Sequence, residues 1–488
     1  MAAAHFLRPE PFFDRKAALA TLNRAWKRSK AGLALLYGRR RLGKTYLLQR
    51  FLSEIDDVAR RCYYLADQST AELQRLELAE RLVEAFPAGL SSRDVAASWN
   101  SLLRYFGAQA RNAKTGKAAL VLDEFPYLVA QTPSLPSTIQ AWWDEEGAHV
   151  PTFVVLCGSQ LSTMASLDNE TAPLHGRFNA GRIRLEPMGY ADVAAFYDRM
   201  DGYGSRERLL MYGALGGTPR YHGEAEPGLT WDEQIVDLLL RPGAPFEGEA
   251  RSLLASEQIR DPAAYNSILL AVAKGCTRHT EIQNATGLGA TALTHPLNVL
   301  LALGWLHRER SFGETSDRRS LYRISDPFLL FWYRFGMPLA SALRTGDPMI
   351  VFRQRVEPQL DDYMGWSVFE KVCAQWLGAC GSTELDLDVR EVSRYWSRDG
   401  KVEIDQVAEL GDGGYLFGEC RWGAHSLTGV GAYVSLRARV AGLPQEAWKK
   451  DARYILYSVG GFTDELKALA EAEGNVYLVD GDRLFHSN

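Results

Sequence analysis

Residues 38–45 combine glycine, lysine and threonine at the spacing of a phosphate-binding loop. In order they are Gly38, Arg39, Arg40, Arg41, Leu42, Gly43, Lys44 and Thr45. In such a loop the backbone N–H groups and the positive helix end hold phosphates, the lysine reaches the β- and γ-phosphates, and the threonine hydroxyl binds Mg²⁺. The spacing predicts a nucleoside triphosphate with Mg²⁺ as the ligand. We assign the eight residues and the following Tyr46 to its binding, with Lys44 also catalytic.

Two carboxylates end a second apolar stretch. Asp123 and Glu124 follow the apolar residues 118–122. In a chain with a phosphate loop, this pattern predicts that Asp123 holds Mg²⁺ through water and that Glu124 polarises the attacking water. The alternative is a buried strand that happens to end on acidic residues, and the phosphate loop favours the nucleotide site.

Three more polar residues are candidates for contact with the γ-phosphate. Ser159 and Gln160 follow the apolar residues 153–157, at the end of a strand where open α/β sheets bind ligands. A plain turn is the alternative for this segment. Arg177 could stabilise transition-state charge, in its own chain or in a neighbouring one, although surface arginines are common.

The elements that must position these residues follow an α/β pattern from residue 1 to 222. Apolar strands are predicted at residues 33–37, 61–65, 118–122 and 153–157, and they alternate with helical stretches. This alternation predicts a P-loop NTPase core, a parallel sheet with helices on both faces. Residues 223–258 contain Pro227, Pro242 and Pro245 and are predicted to be a linker or helical lid.

Residues 259–326 have the outline of a winged helix. Three helices are predicted at residues 265–274, 279–285 and 290–303, and a hairpin pairs residues 306–310 with 320–324. The last helix offers polar residues but no lysine or arginine, which disfavours direct reading of DNA bases. These polar residues are Thr291, Thr294, His295 and Asn298, and the wing arginines are Arg308, Arg310, Arg318 and Arg319. The arginines could contact DNA phosphates, and interdomain packing is the alternative role.

A helical connector is predicted at residues 327–357 and an α/β domain at 358–488. In that domain Asp405 and Glu419 lie on two strands joined by a glycine-rich turn, so a carboxylate from each strand can meet a metal ion. Metal nucleases pair two such acids with a lysine, and Glu370 is a candidate third carboxylate. Arg421 takes the lysine position and cannot act as a base. We therefore favour a binding role over cleavage, and a salt-bridged sheet edge is the alternative.

Five segments together resemble the archaeal-type P-loop ATPases, which also occur in bacteria. They are GRRRLGKT, LVLDEF, LCGSQ, LHGR and Gly216-Gly217-Thr218-Pro219. The resemblance covers most of the chain and places it among the signal-transduction ATPases with numerous domains. It implies that Gly217 and Pro219 contact the nucleotide and that residues 13–15 lie near its base. Here Asp14-Arg15-Lys16 replaces the usual Gly-Arg-Glu. The resemblance also implies a winged helix followed by a restriction-endonuclease-like domain.

Composition restricts the remaining functions. The net charge of -5 argues against a chain that wraps nucleic acid along its whole surface. The cysteines form no CxxC pair, which predicts a reduced, cytoplasmic protein without a zinc site. They are Cys62, Cys157, Cys276, Cys373, Cys380 and Cys420. No signal sequence and no apolar run of about 18 residues is found, so neither export nor a membrane span is expected.

These features predict a cytoplasmic regulatory ATPase. ATP and Mg²⁺ would bind at the loop, and the nucleotide state would control the winged helix and the C-terminal domain. An ATP-regulated, metal-dependent DNA nuclease with chemistry at Asp405 and Glu419 is the alternative. A third interpretation makes the C-terminal domain a protein-interaction module. The expected partners are DNA, a second copy of the chain or another protein.

Overall fold

The computed structural model describes residues 15–55, 61–112, 116–257, 259, 261–423 and 426–485. They form two compact units. The first ends at Glu186 and adds Ser256 and Glu257, and the second runs from Pro187 to Ala255 and from Ile259 onward. Among the described residues, no helix combines the length and the apolar composition needed to cross a membrane.

The first unit is built on a parallel sheet. Its strands are β1 (Gly32–Tyr37), β2 (Arg61–Leu65), β3 (Ala118–Asp123), β4 (Thr152–Gly158) and β5 (Gly181–Arg184). They lie in the order β2-β3-β4-β1-β5, and every neighbouring pair is parallel. The four predicted strands are confirmed. The edge strand β5 was not predicted, because Gly-Arg-Ile-Arg is short and mostly polar.

Helices cover both faces of this sheet. They are α1 (Lys16–Lys27), α2 (Lys44–Ser53), α3 (Ala71–Ala85), α4 (Ser92–Val95), α5 (Trp99–Asn112), α6 (Phe125–Gln131), α7 (Leu135–Glu145) and α8 (Leu161–Ser166). In β1, Leu33 and Leu35 pack into one core, whereas Ala34 and Leu36 pack into the other. A strand buried on both faces is apolar throughout, and this explains the unbroken apolar stretches of the sequence.

The second unit begins with short helices and a three-helix segment. The helices are α9 (Tyr190–Ala194), α10 (Ser205–Leu215), α11 (Pro219–His222), α12 (Trp231–Ile235), α13 (Glu249–Ser256), α14 (Pro262–Ala273), α15 (His279–Thr286) and α16 (Ala290–Ala302). An antiparallel hairpin of β6 (Leu306–Glu309) and β7 (Leu321–Ile324) follows. The elements occur in the order expected of a winged helix, and the assignment to that fold stays a prediction.

A helical connector leads to a second sheet. The connector contains α17 (Pro327–Phe331), α18 (Met337–Thr345), α19 (Pro348–Val351) and α20 (Leu360–Tyr363). π-helical turns lie at Val236–Leu240, Trp332–Gly336, Phe352–Val356 and Met364–Phe369. Turns of 3₁₀ helix lie at Gly147–His149, Ala195–Tyr197, Asp317–Arg319 and Glu357–Gln359.

The C-terminal domain is α/β and contains a mixed sheet. Its elements are α21 (Glu370–Glu384), β8 (Val389–Trp396), β9 (Glu403–Leu410), β10 (Tyr415–Arg421), α22 (Val430–Ala441), α23 (Glu446–Lys449), β11 (Arg453–Ser458), α24 (Asp464–Glu473) and β12 (Val476–Asp480). The strand order is β12-β11-β10-β9-β8; β8, β9 and β10 are antiparallel, and β10, β11 and β12 are parallel. The edge strand β8 was not predicted, because charged and polar residues interrupt its apolar alternation.

Candidate functional site

The phosphate loop turns from β1 into α2 with backbone angles that restrict its residues. Gly43 has φ of 87°, and Arg41 adopts the left-handed region at 66°. A Cβ atom at Gly38 would lie 2.6 Å from the carbonyl oxygen of Leu185. Glycine is therefore needed at position 38 for close packing and is favoured at position 43 by its backbone angle.

Lys44 lies inside this loop. Its ammonium donates hydrogen bonds to the carbonyls of Gly38 and Arg39, both at 2.8 Å, and only 6% of the residue is exposed. Burial lowers the pKa of Lys44, and the nearby Glu124 and Asp123 act in the opposite direction. A buried ammonium held by two carbonyls is positioned to contact a phosphate placed in the loop.

Asp123 is held in place from two sides. The hydroxyl of Thr45 donates to Asp123 Oδ2 at 2.9 Å, and the backbone N–H of Glu124 donates to Oδ1 at 2.9 Å. Asp123 is 1% exposed. A hydroxyl and a carboxylate that converge in this way are hard oxygen ligands, which are the ligands that Mg²⁺ prefers. The donor set therefore fits Mg²⁺.

Glu124 is bonded to the end of the neighbouring strand. The Ser159 hydroxyl donates to Glu124 Oε2 at 2.8 Å, and the Ser159 backbone N–H lies 3.3 Å from the same oxygen. Glu124 itself has φ of 52°, an uncommon angle for a residue other than glycine. The carboxylate is thus fixed at the edge of the sheet where Thr45 and Asp123 meet.

The sheet order explains why these residues meet. Strand β4 lies between β1 and β3, so the carboxyl ends of three adjacent parallel strands place Lys44, Asp123, Glu124 and Ser159 at one edge. The geometry joins a phosphate loop, hard oxygen ligands and a carboxylate that can orient water. This is the arrangement that hydrolysis of a nucleoside triphosphate requires.

Residues 12–224 match a family described as an ATPase domain predominantly from Archaea. Residues 332–430 match a second family, of archaeal and bacterial proteins of unknown function. The protein belongs to the archaeal-type P-loop ATPase family.

Two archaeal proteins and one solved structure are similar to this ATPase. An uncharacterised protein of Methanocaldococcus jannaschii is 25% identical over 419 residues, 84% of this chain and 87% of that protein. An uncharacterised ATP-binding protein of the same organism is 54% identical over 41 residues, 8% of this chain and 70% of that protein. The Walker-type ATPase of Pyrococcus abyssi is similar in structure, with a TM-score of 0.51 and 19% identity over 67% of this chain and 97% of that one. The last likeness shows the fold.

The remaining residues of the loop differ in exposure. Arg39 is buried, whereas Arg40 and Arg41 are exposed, and Tyr46 is 57% exposed. An exposed aromatic ring beside Thr45 is free to contact a bound molecule, so the binding role of Tyr46 stays a prediction.

The segment that leads into the ATPase domain reaches the phosphate loop. Phe13 and Asp14 lie outside the described residues. The buried Arg15 donates to the carbonyl of Leu42 at 3.1 Å and to that of Glu186 at 2.8 Å. Arg15 therefore holds the phosphate loop at Leu42 and ties it to the end of the first unit at Glu186.

Arg177 is bound away from the loop residues. Its guanidinium forms a bidentate ion pair with Asp144, at 2.8 and 2.6 Å, and it also donates to the carbonyls of Pro173 and His175. None of these partners belongs to the phosphate loop. The role of Arg177 at the γ-phosphate stays a prediction.

Gly217 and Pro219 belong to the second unit. Gly217 packs so closely on Met188 that a Cβ atom would lie 2.1 Å from its carbonyl oxygen, and Pro219 opens α11. The buried His222 lies 2.6 Å from the Tyr197 hydroxyl and 2.7 Å from the Gly216 carbonyl. Burial lowers the pKa of His222 to about 4. A neutral imidazole thus holds this segment, whose contact with the nucleotide stays a prediction.

Tyr63 is a site residue that the sequence did not reveal. Its hydroxyl donates to Asp123 Oδ2 at 2.7 Å, the same oxygen that accepts from Thr45. Burial raises the pKa of Tyr63, and the Asp123 carboxylate raises it further. The phenol therefore stays protonated and orients the predicted Mg²⁺ ligand. Strand alternation alone marks Tyr63 only as half-buried.

We expect Tyr63→Phe to raise the Mg²⁺ concentration for half-maximal ATP turnover about tenfold, because partners that orient a metal ligand contribute on this scale. The maximal rate at saturating Mg²⁺ should change much less. The measurement is steady-state turnover over a Mg²⁺ titration. Tyr64→Phe is the matched control, since the Tyr64 hydroxyl lies 3.3 Å from Glu77 instead. Equal shifts in both variants would contradict the assignment.

Glu257 is a second residue that sequence reasoning missed. The backbone N–H groups of Leu161 and Ser162 donate to its carboxylate at 3.2 and 3.4 Å, and the Ser162 hydroxyl donates at 3.3 Å. The Gln160 amide donates to the carbonyl of Ser256 at 3.2 Å. Burial raises the pKa of Glu257, while these bonds and the nearby Lys44 lower it. The return segment Ser256–Glu257 is therefore bound directly beside the Ser159 loop.

The C-terminal carboxylates contact arginines. Glu419 forms ion pairs through both oxygens, with Arg421 at 2.6 Å and with Arg439. Arg421 lies at the position of the lysine in the nuclease pattern, so it pairs with the carboxylate that was expected to bind metal. Because two guanidinium groups already neutralise Glu419, a divalent ion would have to displace them.

Asp405 and Glu370 also have protein partners. Asp405 Oδ2 accepts from the backbone N–H of Cys420 at 2.8 Å, and Glu370 pairs with Arg394 at 2.9 Å. Burial raises the pKa of Asp405 to about 6 and that of Glu370 to about 8. No group of three or more histidine, cysteine or acidic side chains within the described ranges is placed to hold a metal. Metal binding by Asp405 and Glu419, with Glu370 as a third carboxylate, stays a prediction.

Two of the four wing arginines are paired. Arg308 and Arg310 contact the two oxygens of Asp317 at 2.9 and 2.6 Å. These ion pairs reduce the positive charge that the wing can offer to phosphates.

Proposed function

We propose that this ATPase is a nucleotide-dependent switch in which ATP, bound with Mg²⁺ in the first unit, changes the second unit through the segment Ser256–Glu257. The observation on which the proposal rests is that this segment, the last residue of α13 and the residue after it, is hydrogen-bonded to Gln160, Leu161 and Ser162, directly after the Ser159 that holds Glu124.

The residues of the site have separate roles in hydrolysis: phosphate binding, metal binding and activation of water. The loop amides and Lys44 bind and orient the phosphates, and Thr45 and Asp123 would hold Mg²⁺. When bound, Mg²⁺ neutralises charge on the β- and γ-phosphates. Glu124 orients the attacking water and accepts its proton, and Ser159 keeps the Glu124 carboxylate in position.

Two features support a route from this site to the second unit. Glu257 lies within electrostatic range of Lys44, and it accepts from the first two N–H groups of α8, directly after Ser159 and Gln160. A bound phosphate that neutralises Lys44 weakens the electrostatic attraction between Lys44 and Glu257. If it also moves Ser159, it shifts the start of α8 and so changes the hydrogen bonds that hold Glu257. The chain continues from this residue toward α14, so a change in anchoring alters the restraint on that helix.

We expect Glu257→Ala to remove the effect of nucleotide on α13 and α14 while leaving the affinity for ATP within about threefold, because the substitution breaks a coupling and not a phosphate contact. Amide hydrogen exchange over residues 249–256 and 262–273, with and without a non-hydrolysable ATP analogue and Mg²⁺, makes the measurement. Wild-type protein should show a nucleotide-dependent change there.

Glu247→Ala is the matched control, since Glu247 lies in the same linker and contacts Gly243 and Arg344. A nucleotide response that persists in Glu257→Ala as fully as in this control would refute the coupling.

Nuclease activity is not part of the proposal. Both oxygens of Glu419 bind guanidinium groups, and Arg421 cannot serve as a base. For the C-terminal domain we favour a binding role.

A further inference from the structure

A cavity of about 190 Å³ lies in the second unit, lined by the hairpin β6–β7, helix α21 and the strands β8 and β9. Pockets for drug-sized ligands occupy about 300–1,000 Å³. This cavity is therefore large enough for one heterocyclic ring system and too small for a larger ligand.

A bulge in β9 directs two side chains into the cavity. Ser393 pairs with Val407, and the next pair is Tyr395 with Ile404, so three steps along β9 match two along β8. The extra residue falls at Asp405 and Gln406, and both line the cavity. A regular strand would point consecutive side chains to opposite faces, whereas bulges reorient side chains and are frequent beside functional sites.

The cations around the cavity already have partners. Arg394 pairs with Glu370 at 2.9 Å, Arg323 pairs with Glu309 at 3.0 Å, and Lys371 donates to a backbone carbonyl of β7 at 2.8 Å. The cavity is thus not a site for an anion, because each positive group is neutralised or held by a neighbour.

Two buried acceptor oxygens in the lining remain for a ligand. Gln406 is 2% exposed, and its Oε1 has no hydrogen-bond partner among the residues that the structure describes. Asp405 uses Oδ2 for the N–H of Cys420, which leaves Oδ1 for a donor. A buried amide oxygen without a partner is uncommon in folded proteins and indicates that a donor completes the site.

Trp366 supplies a flat apolar wall. The indole lines the cavity and is 43% exposed. The Arg323 guanidinium covers one face of the ring at 4.2 Å from its centroid, so a planar ligand would use the other face. An aromatic ring that remains this exposed beside a polar cavity suits stacking of a planar ligand.

We propose that this cavity binds the base of a guanine nucleotide, either free or in single-stranded nucleic acid. Guanine presents adjacent N1–H and 2-amino donors on a rigid plane, which match the oxygens of Asp405 and Gln406, and its ring suits stacking on Trp366. A guanidinium group offers similar donors but would fill only a small part of the cavity. The nucleotide phosphate would remain outside the cavity, because the positive groups of the lining are already paired with protein groups.

Calorimetric titration of full-length Lys44→Ala protein tests the proposal, because this background should weaken nucleotide binding at the loop. The titrants are guanosine monophosphate, inosine monophosphate and a short guanine-containing single-stranded oligonucleotide. We expect guanosine monophosphate to bind, and inosine monophosphate, which lacks the 2-amino donor, to bind about tenfold more weakly, the effect of one lost hydrogen bond. Tighter binding of the oligonucleotide would identify nucleic acid as the source of the base, and tighter binding of the monophosphate would identify a free nucleotide.

Trp366→Ala should abolish this binding, and the exposure of the side chain means that folding should be retained. Gln406→Leu should weaken binding at least tenfold, since the amide oxygen is lost. Trp231→Ala is the matched control, because Trp231 also faces an arginine, Arg206 at 5.5 Å, but does not line the cavity. No heat with guanosine monophosphate or the oligonucleotide, or equal binding in Trp366→Ala and Trp231→Ala, would overturn the proposal while leaving the switch mechanism intact.

Discussion

Lys44→Ala should reduce ATP turnover at least about 100-fold, the loss typical of removing one preorganised group that stabilises transition-state charge. The ammonium is buried and held inside the loop by the carbonyls of Gly38 and Arg39, where it can reach a bound phosphate. Affinity for ATP should fall as well, because the same charge contacts the phosphates before hydrolysis. Steady-state phosphate release and calorimetric binding of an ATP analogue with Mg²⁺ make the measurements.

The control for this variant is Lys27→Ala, which removes an exposed lysine from α1 of the same unit. It should leave turnover unchanged. Burial disfavours the charged form of the Lys44 side chain. Replacing it with alanine should therefore leave the protein folded, and circular dichroism checks this. Normal turnover in folded Lys44→Ala protein would refute the phosphate site.

Glu124→Gln should lower kcat about 100- to 1,000-fold and leave the affinity for ATP within about threefold, since general-base groups contribute on this scale. Glutamine keeps the shape of the side chain and an oxygen that can accept from Ser159, but it cannot accept the proton of water. The measurements are kcat from steady-state turnover and the Kd of a non-hydrolysable analogue.

Glu145→Gln serves as its control, because Glu145 is an exposed carboxylate on α7 that pairs with Arg104. A kcat for Glu124→Gln within threefold of the wild-type value would show that Glu124 is not the base. An equal loss of binding and turnover would instead assign Glu124 to nucleotide binding.

The first unit was predictable because its signals are local. The loop, its strand and its helix occupy consecutive residues, so the spacing of Gly38, Gly43 and Lys44 specifies both the ligand and the elements around it. Asp123 follows an apolar stretch whose length is that of a buried strand. Strands β5 and β8 were missed because charged and polar residues, which edge strands tolerate, interrupt their apolar pattern.

The site residues that the sequence did not predict are placed by contacts between residues far apart in the chain. Tyr63 reaches Asp123 across 60 positions of sequence, and Glu257 reaches Leu161 across 96. No spacing rule connects such pairs, since only the strand order and the return of the chain bring them together. The pairing of Arg177 with Asp144 has the same origin.

The sequence by itself determined that this protein has a phosphate loop with an acidic pair in an α/β core, because those features depend on neighbouring residues and on a simple apolar period. The tertiary structure alone decided what each charged side chain contacts. Glu419 carries the acid of a nuclease pattern, yet its partner Arg439 lies 20 residues away on α22, and the bulge in β9 turns Asp405 toward a cavity. A charge acts according to the groups that surround it in space, and long-range packing determines those groups.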